Sequence, residues 1–232
     1  MHPCANEWQS LARDGESLEV IASRSRNFIF IKTRKTGSTS LEIVLSSWCS
    51  GRDICTPILP DDELIRSRFG GAARNHLDWR GRRKFYNHMP AAEVRSKLPT
   101  LWPRALTFAV ERHPYEKVVS LAWFQLAWHG LPDSQIGSQI EAVIATREYL
   151  NFPLYAAGGR LLVQQVWEYA DAWRRLRDLA AALGTTVPSN LPQAKAGFRK
   201  DRRPALEILT SRQRSAVYAD ARFEFDLMNY KR

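Results

Sequence analysis

The chain has 232 residues, of which 44% are hydrophobic and 25% are charged. This composition is that of an ordinary globular domain and excludes a chain that is mainly disordered. Lys and Arg number 34 against 24 Asp and Glu, a formal net charge of +10, so we expect an anionic partner: a nucleic acid, a membrane face, a phosphorylated cofactor or an acidic polymer.

The cysteines and the N-terminal residues narrow the class of protein. Cys4, Cys49 and Cys55 are too few and too irregularly spaced for a disulfide scaffold or a zinc cluster, and a Cys49–Cys55 bridge remains open. The first residues contain no apolar signal segment, and no stretch approaches the roughly 18 apolar residues of a membrane span. We therefore expect one cytoplasmic domain over residues 1–232 without a membrane span, in which residues 1–24 form an N-terminal extension.

Positive charge is concentrated in three segments. Residues 24–35 contain five basic residues and no acid, residues 66–84 contain seven basic residues and one acid, and residues 195–203 contain five and one. Each segment can be a solvated face. If the fold gathers them on one side, they form an anion-binding cleft.

Predicted strands and helices alternate along the chain. Residues 27–31 are a short apolar run typical of a buried strand, and residues 32–37 form the next loop. An amphipathic helix follows, because apolar residues recur at helical spacing at Leu41, Val44, Leu45 and Trp48. Ser38, Thr39 or Ser40 can cap the start of that helix.

The same reading predicts the remaining elements. They are a strand over 83–88, a helix over 91–98, a strand over 105–110, a helix that begins at Pro114, a helix over 138–150, a strand over 161–167, a helix from Trp173 to Gly184, a loop over 185–204 and a last helix near Thr210. This alternation predicts an α/β fold with a central parallel sheet flanked by helices. In such sheets the ligand lies at the carboxyl ends of the strands.

The loop after the first strand has the residues of a phosphate-binding loop. Gly37 allows close approach of the backbone, Lys35 supplies a mobile charge, and hydroxyl groups surround both at Thr36, Ser38, Thr39 and Ser40. A helix N-terminus adds unpaired N–H groups and the positive end of the helix dipole, which suits a phosphate or sulfate group. The G-x-x-x-x-G-K-[ST] pattern is absent, which disfavours a magnesium-dependent nucleotidase.

The strand over 105–110 leads to a second junction. Arg112 follows the strand, Pro114 starts a helix, and Ser120 lies eight residues after Arg112. An arginine fork and a hydroxyl can bind one phosphate from two sides.

Together the two junctions resemble motifs of the PAPS-dependent sulfotransferases, particularly the carbohydrate (Golgi-type and bacterial) branch. Residues 34–41, Arg-Lys-Thr-Gly-Ser-Thr-Ser-Leu, are similar to the family's first motif, and residues 112–120, Arg-His-Pro-Tyr-Glu-Lys-Val-Val-Ser, are similar to its second. Residues 191–195 and 217–230 look like its C-terminal pattern, so the resemblance extends loosely over most of the chain. His113 and Lys117 depart from the usual Asp/Asn and Arg of the second motif.

The resemblance implies a P-loop-like three-layer fold, the donor PAPS (3′-phosphoadenosine 5′-phosphosulfate) and the product PAP (adenosine 3′,5′-bisphosphate). It implies that residues 34–40 bind the 5′-phosphosulfate and that Arg112 and Ser120 bind the 3′-phosphate. In the basic loop 185–204, which we expect to close over the cofactor, Lys195 and Arg199 are further candidate ligands. The acceptor is then a hydroxyl of a glycan or glycolipid, either neutral or, since residues 66–84 are so basic, anionic.

Two residues are candidates for the chemistry of sulfuryl transfer. Lys35 can stabilise the leaving bridge oxygen, and His88 can accept the proton of the acceptor hydroxyl. Three tryptophans in less periodic stretches, Trp79, Trp102 and Trp128, could stack on a sugar or an aromatic ring. No cluster of His, Cys or Asp has metal-ligand spacing, so no metal is expected.

Two other functions remain open from the sequence. The basic segments suit a nucleic-acid-binding protein, although no RNP, helix-turn-helix or zinc-finger pattern is present. A nucleotide-dependent kinase on a related phosphate loop is the other, although the chain lacks an evident Mg²⁺-binding Asp after a strand.

Overall fold

A mixed sheet of five strands lies at the centre of the fold. The structure is a computed structural model that describes residues 20–82, 84–195 and 197–232. The strands of the sheet are β1 (Ile21–Ser23), β2 (Phe28–Ile31), β3 (Ile54–Cys55), β4 (Leu106–Glu111) and β7 (Gln165–Glu168), in the spatial order β3-β1-β2-β4-β7. β2, β4 and β7 run parallel, whereas β1 pairs antiparallel with β2 and β3. β5 (Ala156–Ala157) and β6 (Arg160–Leu161) form a separate hairpin.

Helices flank this sheet, which confirms the α/β class. In chain order they are α1 (Ser38–Ser47), α2 (Pro60–Arg68), α3 (Ala91–Lys97), α4 (Pro114–Trp128), α5 (Ile136–Thr146), α6 (Phe152–Tyr155), α7 (Ala172–Ala182), α8 (Ala205–Ile208), α9 (Ser211–Asp220) and α10 (Arg222–Met228). Within the residues that the structure describes, no helix is long and apolar enough to cross a membrane.

Alternation along β2 divides the core between the two faces of the sheet. Ile29 and Ile31 pack with buried residues of α3 and α6, whereas Phe28 and Phe30 pack with those of α1 and α7. This is the period of two that a strand buried on both faces requires. A third apolar cluster joins α4, α5, α9 and α10. β2 and β4 are therefore held at the centre, and their carboxyl ends lie side by side.

The all-parallel sheet predicted from the sequence is wrong at one edge. A four-residue turn joins β1 to β2, and so short a connection can only form an antiparallel hairpin. The carboxylate of Asp53 fixes that turn by accepting hydrogen bonds from the backbone N–H groups of Arg24 and Ser25. Ile21–Ser23 therefore belong to the sheet and not to an N-terminal extension, and residues 1–19, including Cys4, lie outside the described residues.

Other predicted elements are confirmed or corrected as follows. The strands at 27–31 and 105–110 are confirmed, as are the helices at 91–98, after Pro114, from Trp173 and near Thr210, within a few residues at their ends. The predicted strand over 83–88 is wrong: residues 84–88 form turns, and the backbone N–H of Lys84 bonds locally to the carbonyl of His76. The run 161–167 divides between β6 and β7, and the helix predicted over 138–150 ends at Thr146. Cys49 and Cys55 are free thiols.

A buried cluster of charges joins the end of β4 to α4 and α10. The Lys117 ammonium lies 2.8 Å from Glu111 Oε1 and 2.5 Å from Glu224 Oε2, and all three side chains are fully buried. The hydroxyl of Tyr155 donates to Glu111 Oε2, and the backbone N–H of Asn151 donates to Glu224 Oε1. Burial raises the pKa of Glu224 to about 7. The cluster is stable because each carboxylate has the lysine and at least one further donor.

Removing the Lys117 ammonium should destabilise the fold strongly. We expect Lys117→Met to lower the free energy of unfolding by about 3–5 kcal/mol, since it leaves two buried carboxylates without their cation. Lys200→Met is the matched control, because Lys200 forms an ion pair with Asp133 while 65% exposed, and should change stability by less than about 1 kcal/mol. Urea denaturation measures both. Equal losses for the two variants would show that the buried cluster contributes no more than a surface pair.

Candidate functional site

The loop between β2 and α1 is closed by its own hydroxyl groups. The Thr33 hydroxyl donates to the carbonyl of Val110 at the end of β4 (2.5 Å) and lies 2.8 Å from the Thr36 hydroxyl. The Ser38 hydroxyl donates to the carbonyl of Thr33 at 2.7 Å. These bonds fix the loop against the neighbouring parallel strand, so its backbone is ordered before any ligand arrives.

The first turn of α1 is left without a side-chain cap, contrary to the prediction for Ser38, Thr39 or Ser40. Gly37 occupies the N-cap position with φ 65°, and no side chain accepts from the first-turn N–H groups. A Cβ at Gly37 would also approach within 3.1 Å of the Tyr169 ring, so glycine is needed here for both conformation and space. N–H groups at such a helix start are available to an anion.

Asn151 fixes the same loop from the opposite side. Its Oδ1 accepts from the backbone N–H of Arg34 at 2.8 Å, and its Nδ2 donates to the carbonyl of Arg34 at 3.1 Å. Nδ2 also lies 3.2 Å from Glu111 Oε1, which joins the loop to the buried charge cluster. Asn151 was not predicted from the sequence, because it lies 117 residues from Arg34 and no local pattern marks it.

Lys35 has an unusual setting for a cation. Its ammonium lies 4.2 Å from the centroid of the Phe124 ring, and no acidic side chain of the described part of the chain lies within ion-pair distance. Burial lowers the pKa of Lys35 to about 7, with further contributions from the neighbouring charges of Lys195 and Arg112. An anion bound at this position would restore the charge of the lysine.

Arg112 connects the second junction to the first. One guanidinium nitrogen lies 3.4 Å from the carbonyl of Lys35, another pairs with Glu116 at 3.2 Å, and the group lies over the Tyr169 ring at 4.7 Å. The structure therefore brings together two segments 77 residues apart. Arg199 pairs with the same Glu116 at 2.5 Å.

His113 caps the start of α4 with its side chain. Its Nδ1 accepts from the backbone N–H of Tyr115 at 3.3 Å, and its Nε2 donates to the carbonyl of Lys231 at 2.9 Å. The ring is therefore neutral with its proton on Nε2, and burial lowers its pKa. Lys117, on the same helix, belongs to the buried charge cluster.

His88 lies against the loop that follows β2. Its Nδ1 lies 3.1 Å from the carbonyl of Lys32, and since a carbonyl can only accept, Nδ1 carries the proton and the lone pair is on Nε2. Burial, followed by the charges of Arg34 and Lys32, lowers the pKa of His88 well below its ordinary value of 6.5. The ring is thus neutral at physiological pH and able to accept a proton.

These groups line one cavity of about 670 Å³, a volume typical of small-molecule sites. All the predicted site residues except Arg199 line it: Arg34, Lys35, Thr36, Gly37, Ser38, Thr39, Ser40, His88, Arg112, Ser120 and Lys195. Segment 191–195 forms part of the wall, where the backbone N–H of Ala194 donates to Ser40 Oγ at 3.1 Å and the Lys195 ammonium lies 3.7 Å from Asp62.

The middle basic segment lies elsewhere. None of the described residues among 66–84 lines the cavity, and Arg83 lies outside the described residues. Arg66 is fully buried, where it pairs with Glu42 at 2.9 Å, and Arg82 pairs with Asp78. Of the three tryptophans considered for stacking, Trp128 lines this cavity, whereas Trp102 lines a separate shallow groove and Trp79 lines neither.

No protein-family model, curated protein or solved structure matches this chain. Among residues 20–82, 84–195 and 197–232, no group of three or more His, Cys, Asp or Glu side chains is arranged to hold a metal ion. The function is therefore inferred from the shape, charge and chemistry of the cavity.

Anion binding in this cavity should weaken as the pH rises. Sulfate is a suitable probe because its charge is constant between pH 6 and 9. Since the pKa of Lys35 is about 7 in the free site and a bound anion raises it, affinity should fall by up to about tenfold per pH unit above pH 7. Isothermal titration calorimetry measures this slope.

Lys35→Arg is the control, because its guanidinium stays charged over this range and the slope should flatten. An unchanged slope in this variant would move the titration to Lys32, whose pKa burial also lowers to about 7.

Proposed function

We propose that this chain is a PAPS-dependent sulfotransferase that transfers a sulfuryl group from PAPS to a hydroxyl of a carbohydrate or glycoconjugate. The observation that carries the proposal is the meeting of the two motif junctions at one cationic cavity, with Arg112 beside the carbonyl of Lys35. The parallel strands β2 and β4, each of which ends at one of these junctions, support the P-loop-like three-layer fold that we propose with it.

The donor has anionic groups at both ends of its ribose, and the cavity has cations to match. In this proposal the loop 34–40 binds the 5′-phosphosulfate through backbone N–H groups and Lys35, as helix N-termini bind phosphate. Arg112 and Ser120 bind the 3′-phosphate, and Lys195 approaches from segment 191–195. Arg199 remains a predicted ligand, although in this structure it pairs with Glu116 outside the cavity lining.

Transfer would proceed by in-line attack of the acceptor hydroxyl on sulfur. The new O–S bond forms as the bond to the bridge oxygen breaks, and that oxygen leaves with the electron pair as part of PAP. Lys35 stabilises the negative charge that develops on the bridge oxygen. The proton of the hydroxyl passes to Nε2 of His88, which its low pKa keeps neutral at pH 7.

Binding of PAP tests the proposed function most directly. We expect PAP to bind and to raise the melting temperature by mass action, whereas AMP and ATP, which lack the 3′-phosphate, and a short RNA should do much less. Arg112→Gln should cost about 1.5–3 kcal/mol of PAP binding, the range for a hydrogen bond to a charged group, and should leave AMP binding almost unchanged.

Two control variants accompany that titration. Arg222→Gln alters an exposed ion pair on α10 and should leave PAP binding unchanged, and Arg199→Gln should lose less than Arg112→Gln because Arg199 does not line the cavity. Equal stabilisation by AMP and PAP would overturn the 3′-phosphate site, and preferential binding of RNA or of ATP with Mg²⁺ would favour the nucleic-acid or kinase alternative.

Lys35 and His88 should act on turnover more than on donor retention. We expect Lys35→Ala to lower kcat roughly 10²-fold or more, because the charge that it meets grows in the transition state. His88→Ala should also lower kcat while PAP still binds. PAP release from PAPS, followed with a panel of glycoside acceptors, measures both. A Lys35→Ala variant with nearly normal turnover would make this residue an anion ligand alone and move the catalytic role to Lys32 or Arg34.

A further inference from the structure

The lining of the cavity is divided by charge. Of the described residues that line it, Glu148 is the one acidic side chain, and the basic ones are Lys32, Arg34, Lys35, Arg112 and Lys195. A carboxylate is a poor neighbour for a donor with a phosphate at one end and a phosphosulfate at the other. Glu148 therefore marks a part of the cavity that the donor does not fill.

Glu148 is exposed to solvent, and one side chain of the described residues, Gln125, donates a hydrogen bond to it. Gln125 Nε2 donates to Glu148 Oε2 at 2.9 Å, and Gln139 Nε2 donates to Gln125 Oε1 at 2.7 Å. This chain of bonds sets the orientation of the Gln125 amide. The second carboxylate oxygen of Glu148, Oε1, accepts no hydrogen bond from any residue among those described. It is an acceptor that a ligand hydroxyl can satisfy.

An aromatic wall extends from Lys35 along α4. Phe124 lies under the Lys35 ammonium, and Trp128 stacks on Phe124 with ring centroids 5.8 Å apart and an interplanar angle of 25°. Trp128 is 44% exposed and lines the cavity. Because Phe124 and Trp128 are four residues apart, the wall advances by roughly 6 Å, about the width of one six-membered ring. Gln125, which bonds Glu148, is the next residue after Phe124.

We propose that Trp128, Gln125 and Glu148 form the acceptor subsite and that it takes an uncharged, hydroxyl-bearing ring, that is, a neutral glycoside. The face of Trp128 packs against the C–H face of the sugar. Glu148 Oε1 accepts a hydrogen bond from a ring hydroxyl, and the free amide hydrogen of Gln125 can donate another. An acceptor with a carboxylate or sulfate at this position meets the charge of Glu148 and is rejected.

The assignment of this subsite to the acceptor rests on the proposed function, whereas the glycoside-binding test does not depend on it. It also replaces the expectation of an anionic acceptor, since the basic segment 66–84 that suggested one does not line the cavity within its described residues. In this proposal Glu148 selects acceptors by repelling anionic ones. Removing its charge should therefore widen the range of acceptors that bind and not simply weaken binding.

The test uses two probes that differ only at C6, where one is neutral and the other is charged. Methyl β-D-glucopyranoside and methyl β-D-glucopyranosiduronate share the ring and its hydroxyls up to C5, and the second has a carboxylate at C6. Dissociation constants are measured by ligand-observed NMR on the full chain, with and without saturating PAP. We expect the wild-type protein to bind the neutral glycoside at least tenfold more tightly than the glucuronide.

Three variants complete the experiment. Glu148→Gln, which keeps the hydrogen-bonding shape, should bring the two affinities to within about threefold of each other, and Trp128→Ala should weaken both by tenfold or more. Glu207→Gln, an exposed change on α8 away from the cavity, should leave the wild-type ratio intact. The PAP affinity should not be weakened in any of them.

Specific outcomes overturn the proposal. They are equal or tighter binding of the glucuronide by the wild-type protein, an unchanged ratio in Glu148→Gln, or no binding of either glycoside. Failure of PAP to bind would instead overturn the proposed function, and the glycoside ratio measured without PAP would still decide the character of this subsite.

Discussion

The geometry of the cavity depends on one buried cation, the ammonium of Lys117 between Glu111 and Glu224. Glu111 is the last residue of β4, so whatever fixes its carboxylate also fixes the point at which the chain leaves the sheet. The same carboxylate accepts from the backbone N–H of Arg112 at 2.8 Å and from the side chain of Asn151, which in turn binds both backbone polar groups of Arg34. Both cavity junctions are thereby positioned by a single cluster that solvent does not reach. Such a cluster contributes to specificity of structure more surely than to net stability, because desolvation of its charges offsets much of their attraction.

Basic residues in this chain have two separate physical roles, which the net charge alone does not distinguish. Arg66 is fully buried outside the cavity lining and pairs with Glu42, so its charge is compensated and supports the fold. Lys35 and Arg112 line the cavity, and the first of them has only an aromatic face and a field of other cations around it. An uncompensated cation such as Lys35 attracts an anion without having to give up an acidic partner first, and such preorganisation is the condition for strong electrostatic catalysis.

Sequence patterns predicted the parts of the molecule in which the relevant residues are contiguous. β2 and β4 are apolar on both faces. The loop and the helix start that follow each strand consist of contiguous residues, so both junctions could be predicted without a structure. β1 and β3 were missed because strands of three and two residues have no periodicity and exist only through their neighbours. The strand predicted over 83–88 fails since Phe85 is buried by local turns, not by a ladder. Other cavity or loop contacts could not be predicted from local patterns. Phe124 lies on a helix face with no distinctive motif, and Asn151 and Glu148 follow a distant helix, so only the packed fold identifies them.

The low pKa of Lys35 follows from its burial and from the neighbouring charges of Lys195 and Arg112. A carboxylate partner would favour the charged form of the lysine, yet an incoming anion would have to displace that partner. Lying on Phe124, the ammonium has a weaker partner to leave, because a cation–π contact is worth about 0.5–2 kcal/mol. Without an acidic partner the pKa of Lys35 is about 7, so part of the lysine population is neutral before a ligand binds. Binding of a phosphate or sulfate group then supplies the missing counter-charge, and the lysine takes up a proton from solvent. Protonation of the lysine is thereby coupled to occupation of the loop, so in the proposed reaction the cation would be fully charged when negative charge develops on the bridge oxygen.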